Sequence, residues 1–564
     1  MSRPIVIVAL LGLALLAGLA PMTASDAFYD ADEPHFAEGA FHMLRDGEWL
    51  IPKNMEGAVR LRKPPLVYWI TAGLFAAFGP SPLAARAHAL TAAALTLVAT
   101  MALARRVAGD RARGSWAAAV LATAVLFLLY AMRALSDPVL TLAMVVSAWG
   151  LTGVVLQRRR DWASCLAAYG GAALAVLAKG LLPVVFVLYF WIAGSILRRR
   201  IALPAAGGRP SRWAHPVSLL GGVALAGWWF VVVAILHGGV LLDQFFGDQL
   251  TKKAPLAWWR PLANVPWLAL LVAAQFLPWL LIVGTAAWRK RLRAADARST
   301  ERAFGWLAAG WVLLVVLIFG SGRRAMPRYL LPALPLAAVA LACMLRRVEA
   351  SWLTAWLRAL RGVAMVLLCG LAAMACVAQW QFHGPASLPV LLAGVALLAV
   401  WWWLTRRRGA ATPTALAFGM MLGAAALFAA VLPVISPSQS RAFVQYLRAR
   451  GIAPDRPMIV IGQRHVRCQT RLLLGGTATL DHSRFARGVD LTRYEAVIVD
   501  TERTPPDSVA WPDGWRVDTV GALNSQIKVG PLIGAVFRGR LSDYVNDHRR
   551  TYFIGTPPRT STGD

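Results

Sequence analysis

The chain has 564 residues, of which 58% are hydrophobic and 15% are charged, and its formal net charge is +30 at pH 7. The arginines stand mostly in short groups at the ends of apolar segments, without the continuous basic face interleaved with aromatics that is typical of nucleic-acid binding. The five cysteines show neither a disulfide framework nor a zinc-ligand spacing. The composition therefore argues against a nucleic-acid-binding protein and against a small disulfide-stapled secreted protein.

Apolar segments of roughly 17 to 25 residues recur along the chain, each long enough to cross a hydrocarbon core about 30 Å thick. They predict a polytopic α-helical membrane protein with about thirteen transmembrane helices. The first segment also fits a cleavable signal peptide, and we favour a retained helix. The predicted spans lie near residues 5–22, 85–104, 114–133, 138–157, 162–178, 181–197, 214–236, 264–287, 303–320, 329–345, 362–381, 387–405 and 412–435.

Groups of arginines fall in alternate loops between these segments, as in Arg158–Arg160 and Arg198–Arg200. The positive-inside rule makes such loops cytoplasmic. The same rule places the N-terminus inside and the remaining connections outside, including the first loop, the short turn near residues 134–137 and the C-terminal tail. The external side is therefore where we expect the acidic first loop to act.

Two regions are predicted along the chain. Residues 1–435 form a membrane domain whose first external loop, residues 23–84, contains apolar helices in the interface plane. Residues 436–564 form a small external α/β domain, with strands at Met458–Ile461 and Ala496–Val499 and a helix over Arg441–Arg450. This domain has no Gly-rich phosphate loop, and a structural lid without chemistry is its simplest interpretation.

Carboxylates are scarce in this chain, with 28 acidic residues against 58 Lys and Arg. Asp32 and Glu33 follow the first span, and Asp137 lies in a very short turn between the third and fourth. We predict these three as catalytic residues, and Asp32 with Asp137 as ligands of a divalent cation. The alternatives are a helix cap at Asp32 and a helix start at Asp137. His35 is predicted to line the substrate pocket, with a metal ligand beside Asp32 or a hydrogen-bonded surface histidine as the alternatives.

Positive charges also occur in loops that the positive-inside rule leaves poor in Lys and Arg. Such cations are better explained by anion binding than by solvation, and we predict that Lys63, Lys253, Arg324 and Lys179 bind a phosphate. Lys63 is followed by two prolines, which hold its backbone in a fixed turn. Lys179, at the end of the fifth span, has the alternative of extending its ammonium to the interface.

The order of several motifs resembles that of the aminoarabinose transferase and protein mannosyltransferase group of integral-membrane glycosyltransferases, which have the GT-C fold. The resemblance covers most of residues 20 to 345. It is carried by Asp32-Glu33-Pro34-His35-Phe36-Ala37-Glu38, Gly47-Glu48-Trp49-Leu50-Ile51-Pro52, Lys63-Pro64-Pro65-Leu66-Val67-Tyr68-Trp69, Ala85-Arg86-Ala87, Ser136-Asp137-Pro138, Ala178-Lys179-Gly180, Leu277-Pro278-Trp279 and Met326-Pro327-Arg328-Tyr329-Leu330-Leu331-Pro332.

The resemblance implies a transferase that takes a sugar from a polyprenyl-phosphate donor at the periplasmic face of a bacterial inner membrane. It implies roles in catalysis or metal binding for Asp32 and Asp137, donor-phosphate contacts for Lys63 and Lys253, and a place at the site mouth for Tyr329. A divalent metal is an open alternative, and no nucleotide or redox cofactor is expected. We expect the chain to act as a monomer among membrane lipids.

The leading substrates are 4-amino-4-deoxy-L-arabinose as the sugar and lipid A as the acceptor. Two departures keep a hexose transferred to protein or another envelope glycan as the alternative. Arg62, assigned to the substrate pocket, stands where the lipid A enzymes have Glu, and Phe245-Phe246 is not followed by their Glu-His pair. A transporter is disfavoured because the sequence shows neither inverted symmetry nor charges at span centres. A non-catalytic assembly protein is the third alternative.

Overall fold

The structure is a computed structural model that describes residues 32–54, 57–109, 111–203, 211–251, 260–293, 299–322, 325–383, 399, 439–462, 464–475, 480–483, 486, 488–500, 509–523, 534–535, 538–540, 543 and 549–558. Its first part is helical. The helices are α1 (Glu33–Asp46), α2 (Leu66–Phe78), α3 (Pro82–Ala108), α4 (Arg111–Ala122), α5 (Val125–Ala131), α6 (Asp137–Leu151), α7 (Trp162–Lys179), α8 (Leu182–Ile201), α9 (Ala214–Leu241), α10 (Arg260–Gln275), α11 (Leu277–Trp288), α12 (Ser299–Gly320), α13 (Leu334–Leu345) and α14 (Ala350–His383).

Two π-helical segments extend these helices, Thr152–Leu156 after α6 and Leu242–Thr251 after α9, and a 3-10 segment, Pro327–Ala333, leads into α13. Proline occupies the first turn of several helices, including α3, α6 and α8. Its missing N–H costs nothing there, because the first N–H groups of a helix have no partner within the helix.

In the described part of the chain, seven helices are long and apolar enough to cross a membrane, or up to nine if each of two bent pairs is one span. The chain is therefore a multi-pass membrane protein, as predicted. The predicted spans 5–22 and 412–435 lie outside the described residues, as does 387–405 except for residue 399, and 362–381 falls within α14. The seven helices are Pro82–Ala108, Asp137–Leu156, Trp162–Lys179, Leu182–Ile201, Ala214–Gly247, Ser299–Gly320 and Pro327–Leu345.

The predicted spans 114–133 and 264–287 are not continuous helices, because each consists of two helices joined at a break. The chain bends by 75° between α4 and α5 and by 84° between α10 and α11. Residues at the two breaks form hydrogen bonds with each other. The Gln275 side chain accepts a bond from the Leu126 amide at 2.8 Å, and the Trp279 indole donates to the Thr123 hydroxyl at 2.8 Å. Paired breaks keep the freed polar groups away from lipid, where leaving them without a partner costs several kcal/mol.

The segment predicted as the first external loop contains the two expected helices, α1 and α2. These helices pack on each other, with the Phe36 and Tyr68 ring centroids 5.1 Å apart. A Cβ at Gly39 would lie 2.5 Å from the Tyr68 ring, so only glycine allows this approach. The α1–α2 contact fixes the helix that begins directly after Asp32.

The C-terminal part forms a mixed α/β unit, as predicted. It contains α15 (Gln439–Ala449), β1 (Met458–Ile461), α16 (Arg464–Leu473), β2 (Leu480–Ser483), β3 (Ala496–Asp500), β4 (Arg516–Leu523) and β5 (Arg549–Thr556). The strand order is β2-β1-β3-β5-β4, with β1 parallel to β2 and β3, and β5 antiparallel to β3 and β4.

Strands β1 and β3 are buried along their whole length. Because side chains alternate along a strand, Met458 and Val460 pack on one face with α15, while Ile459 and Ile461 pack on the other with Leu491. Continuous apolar runs are typical of strands covered on both faces. The boundary predicted at residue 435 lies outside the described residues and stays a prediction.

Helix α16 joins this unit to α1. Arg471 pairs with Glu38 in an ion pair whose side chains are 4% and 1% exposed, and the Arg471 guanidinium lies 4.6 Å from the centre of the Phe41 ring. The Cys468 thiol also contacts the carbonyl of Pro34 at 3.8 Å. The sequence analysis did not predict this contact, which connects the C-terminal unit to the helix that follows Asp32.

We predict that Arg471→Met is strongly destabilising, because it leaves the Glu38 carboxylate buried without its cation. Removing one partner of a buried ion pair costs about 3–5 kcal/mol. Thermal unfolding of the purified chain in detergent measures the effect. The double variant Glu38→Gln with Arg471→Met should lose less than the sum of the two single losses, and strictly additive losses would show that the pair is not coupled.

Candidate active site

Asp32 lies at the start of α1 and forms an ion pair with Arg328, with 2.7 Å between Oδ2 and Nη2. The Asp32 side chain is 38% exposed and that of Arg328 9%. Burial alone would raise the pKa of the Asp32 carboxyl, but the positive charges of Arg328, Lys63 and Arg60 outweigh it and hold the pKa below 3.8. Asp32 is therefore an accessible carboxylate that stays ionised near neutral pH.

Asp137 begins α6 and pairs with Lys179, the last residue of α7. The Lys179 ammonium also lies 4.8 Å from the centre of the Tyr329 ring, which stacks on Phe319 at 4.5 Å. Lys179 interacts electrostatically with Asp32 and Arg328 as well. The two predicted carboxylates, one after the first span and one between two later spans, therefore belong to one charged cluster.

Lys63 reaches this cluster on a loop that is tied to the membrane helices. The Gln244 side chain, in the π-helical segment after α9, accepts a bond from the Leu61 amide at 2.8 Å and donates to the Val59 carbonyl at 3.2 Å. Trp229 donates to the Leu50 carbonyl at 2.9 Å. With Leu61 fully buried and two prolines after Lys63, the loop holds the Lys63 ammonium close enough to influence Asp32.

Lys179 is positioned by the residue that follows it. Gly180 has φ +109°, a conformation that residues with a side chain rarely adopt. A Cβ at this position would also lie 2.8 Å from the fully buried Phe245 ring. Glycine therefore allows α7 to end at this point, with Lys179 directed toward Asp137.

Glu33 does not occupy the place predicted for it. Its carboxylate is fully buried, pairs with the Arg86 guanidinium at 2.8 Å and accepts a bond from the Ala134 amide at 3.0 Å. A buried carboxylate that is already bonded to Arg86 and to the Ala134 amide is poorly placed to react with a substrate, so the arrangement does not favour the catalytic role of Glu33, which stays a prediction. Glu33 instead joins α1 to α3 and to the segment before Asp137, and this supports the geometry of both predicted carboxylates.

The other predicted residues have mixed outcomes. His35 lies in the first turn of α1 and interacts electrostatically with Asp32, while the Arg62 side chain is exposed beside Lys63. Lys253 and Arg324 lie outside the described residues, so their phosphate-binding roles stay predictions.

Three residues at the site were missing from the predicted set. Arg328 pairs with Asp32, Arg60 is buried beside it, and the Tyr68 hydroxyl interacts electrostatically with both Arg60 and Asp32. Arg60 and Arg328 stand in the same arginine-containing segments that pointed to Arg62 and Arg324. The sequence contains no signal that singles out Arg60 and Arg328 within these segments.

The carboxylates do not make a good metal site. Among the described residues, no group of three or more His, Cys, Asp and Glu side chains is placed to hold a metal ion. Asp32 and Asp137 each face a cationic side chain, which competes with a divalent cation for the same oxygens. Metal binding at this pair stays an untested prediction that the arrangement does not favour.

The fold matches a solved class of membrane enzymes. ArnT from Cupriavidus metallidurans, in a crystal structure bound to undecaprenyl phosphate, superposes with a TM-score of 0.66 at 19% identity and with 99% of each chain covered. Its apo structure gives 0.62 at 20% identity, with 97% of each chain covered. The chain therefore has the GT-C fold, which confirms the fold that the motifs implied.

Residues 22–241 match the family of dolichyl-phosphate-mannose-protein mannosyltransferases. Over these residues the chain is similar to this family, as the resemblance indicated. It is also 27% identical over 467 residues to an undecaprenyl phosphate-alpha-4-amino-4-deoxy-L-arabinose arabinosyl transferase of Sodalis glossinidius, covering 75% of this chain and 76% of the relative. An uncharacterised protein of Aquifex aeolicus is 26% identical over 319 residues, covering 56% of this chain and 59% of that protein.

We predict that Gly180→Ala destabilises the chain by about 1–3 kcal/mol, because it combines an unfavourable φ with a clash against Phe245. Displacement of Lys179 should also weaken binding of the phosphate that this lysine is predicted to contact, measured by titration. The matched control is Gly170→Ala within α7, where an added Cβ meets nothing within 4 Å. Equal behaviour of the two variants would show that Gly180 does not position Lys179.

Proposed function

We propose that the chain is a glycosyltransferase that moves a sugar from a polyprenyl-phosphate donor to an acceptor at the periplasmic face of the bacterial inner membrane. This proposal is supported by the GT-C fold, by the match of residues 22–241 to the mannosyltransferase family and by the activity named for the Sodalis glossinidius relative. The placement of arginine-rich loops supports an orientation with Asp32, Asp137 and residues 436–564 on the periplasmic side.

The observation that carries the proposal is the meeting of Lys63, Lys179 and Arg328 around two carboxylates. Such cations suit a phosphate, whose oxygens accept charge-assisted hydrogen bonds. When the sugar leaves its donor, negative charge develops on the phosphate oxygen that departs. Fixed cations in a largely buried site stabilise that charge without having to reorganise.

The reaction in this proposal is an in-line displacement with inversion at the anomeric carbon. An oxygen of the acceptor forms a bond to that carbon while the bond to the phosphate oxygen breaks, and the electron pair leaves with the polyprenyl phosphate. Asp32 takes the proton that the acceptor oxygen carries. In the free protein Arg328 holds Asp32 ionised, and a bound phosphate would compete for Arg328 and make Asp32 a stronger base.

The leading substrate pair is 4-amino-4-deoxy-L-arabinose and lipid A, since several relatives are named for transfer of that sugar. The match to the mannosyltransferase family supports the alternative, in which a hexose is transferred to protein or to another envelope glycan. Mass spectrometry of lipid A, envelope glycans and envelope proteins, from cells with and without the chain, separates the two. Unchanged lipid A with an altered glycan or protein would favour the alternative.

We predict that Asp32→Asn lowers transfer by about 100- to 10,000-fold, the usual contribution of a general base, with normal expression. Transfer is measured in membranes that contain a polyprenyl-phosphate sugar and the acceptor. The control is Asp46→Asn at the other end of α1, where the carboxylate pairs with Arg45 and Lys53. Full activity in Asp32→Asn would refute the assignment of the base.

A further inference from the structure

The side chain of Tyr68 packs against α1, the helix that follows Asp32. The residue is completely buried, its ring packs against Phe36, and it fills the space left by Gly39 on α1. Its hydroxyl has no hydrogen-bond partner among the residues that the structure describes. A buried hydroxyl without a partner is costly by about 1–3 kcal/mol, so such a group calls for an explanation.

Arg60, on the neighbouring loop, also has a buried polar atom without a hydrogen-bond partner in the described structure. The residue is buried, with 9% exposure, and its Nε has no hydrogen-bond partner in the described part of the chain. The Arg60 amide donates to the Pro52 carbonyl at 2.8 Å, which fixes the backbone from which the side chain extends. Electrostatic interactions connect Arg60 with both Tyr68 and Asp32. Two buried polar groups without a partner in the described structure therefore both interact with the Asp32 carboxylate.

Both groups can donate hydrogen bonds, and the arginine is always charged. A ligand that satisfies them must supply acceptor oxygens, and negative charge on those oxygens strengthens its bond to the guanidinium. We propose that Tyr68 and Arg60 bind a phosphate oxygen of a substrate beside Asp32. The inference rests on the proposed glycosyl transfer for the choice of substrate, while phosphate binding itself does not depend on that reaction.

Two substrates can bring this phosphate to the site. One is the polyprenyl-phosphate donor, in which case its phosphate contacts Tyr68 and Arg60 in addition to the cations Lys63, Lys179 and Arg328. The other is an acceptor that carries a phosphate group, in which case the pair selects such acceptors over neutral ones. Binding of undecaprenyl phosphate alone tests the first source, and the KM for the acceptor tests the second.

The test uses the full chain with Tyr68→Phe, which removes only the oxygen. Because the hydroxyl has no partner in the described structure, its loss should leave the unfolding temperature unchanged or raise it. Binding should weaken by roughly tenfold, the loss of one hydrogen bond to a charged group. A higher Kd for undecaprenyl phosphate assigns the subsite to the donor. An unchanged Kd with a higher acceptor KM assigns it to the acceptor.

The control is Tyr189→Phe, because the Tyr189 hydroxyl donates to the Leu307 carbonyl at 2.7 Å away from the site. That variant should lower the unfolding temperature and leave the Kd unchanged, the opposite of Tyr68→Phe. Arg60→Gln should weaken the same constant as Tyr68→Phe. If neither the Kd nor the acceptor KM changes in Tyr68→Phe, the phosphate subsite is refuted whatever the stability. If wild-type protein binds undecaprenyl phosphate but transfers no sugar, the proposed reaction fails and the binding arm still decides the subsite.

Discussion

The site depends on two ion pairs that bring together distant parts of the chain, Asp32 with Arg328 and Asp137 with Lys179. Three of these four side chains are largely buried, where charges interact more strongly than in water and isolated charges are costly. The carboxylates offset the cost of keeping lysine and arginine in that environment. The same cations remain close enough to exchange a carboxylate partner for a phosphate, which is what transfer from a phosphate donor requires.

The surrounding structure keeps these charges in place from three sides. Glu33 and Arg86 fix the start of α1, Gln244 fixes the loop before Lys63, and Gly180 allows α7 to end at Lys179. The C-terminal unit adds a fourth support through Arg471, which pairs with Glu38 on α1. The C-terminal unit thus supports the site by holding the helix that follows Asp32.

The sequence predicted those features that depend on local pattern. Fully apolar runs of strand length gave β1 and β3, and the Asp137-Pro138 pair marked a helix start. Features that depend on long-range pairing were missed. The geometry of the 3-10 segment Pro327–Ala333 determines that Arg328 faces the site. Glu38 pairs with Arg471, which lies far along the chain in sequence. Glu33 and Asp32 are neighbours in sequence, and only the packed structure shows that one is buried in support of the other.

The two broken helices show a similar limit. Pro278 in the first turn of α11 was a signal for a break, whereas the break before α5 has neither proline nor glycine. That second break is explained by its partners Gln275 and Trp279, which lie about 150 residues further along the chain. Hydropathy shows that such a segment is apolar, but it does not show where the segment bends.

The central claim is that the cations around Asp32 form the binding place of a lipid phosphate. An experimental structure of the full chain in a lipid nanodisc with undecaprenyl phosphate tests it most directly. We expect density for the phosphate within hydrogen-bond distance of at least two of Lys63, Lys179 and Arg328, beside the Asp32 carboxylate. A phosphate bound elsewhere, with both ion pairs unchanged and no access to Asp32, would contradict it.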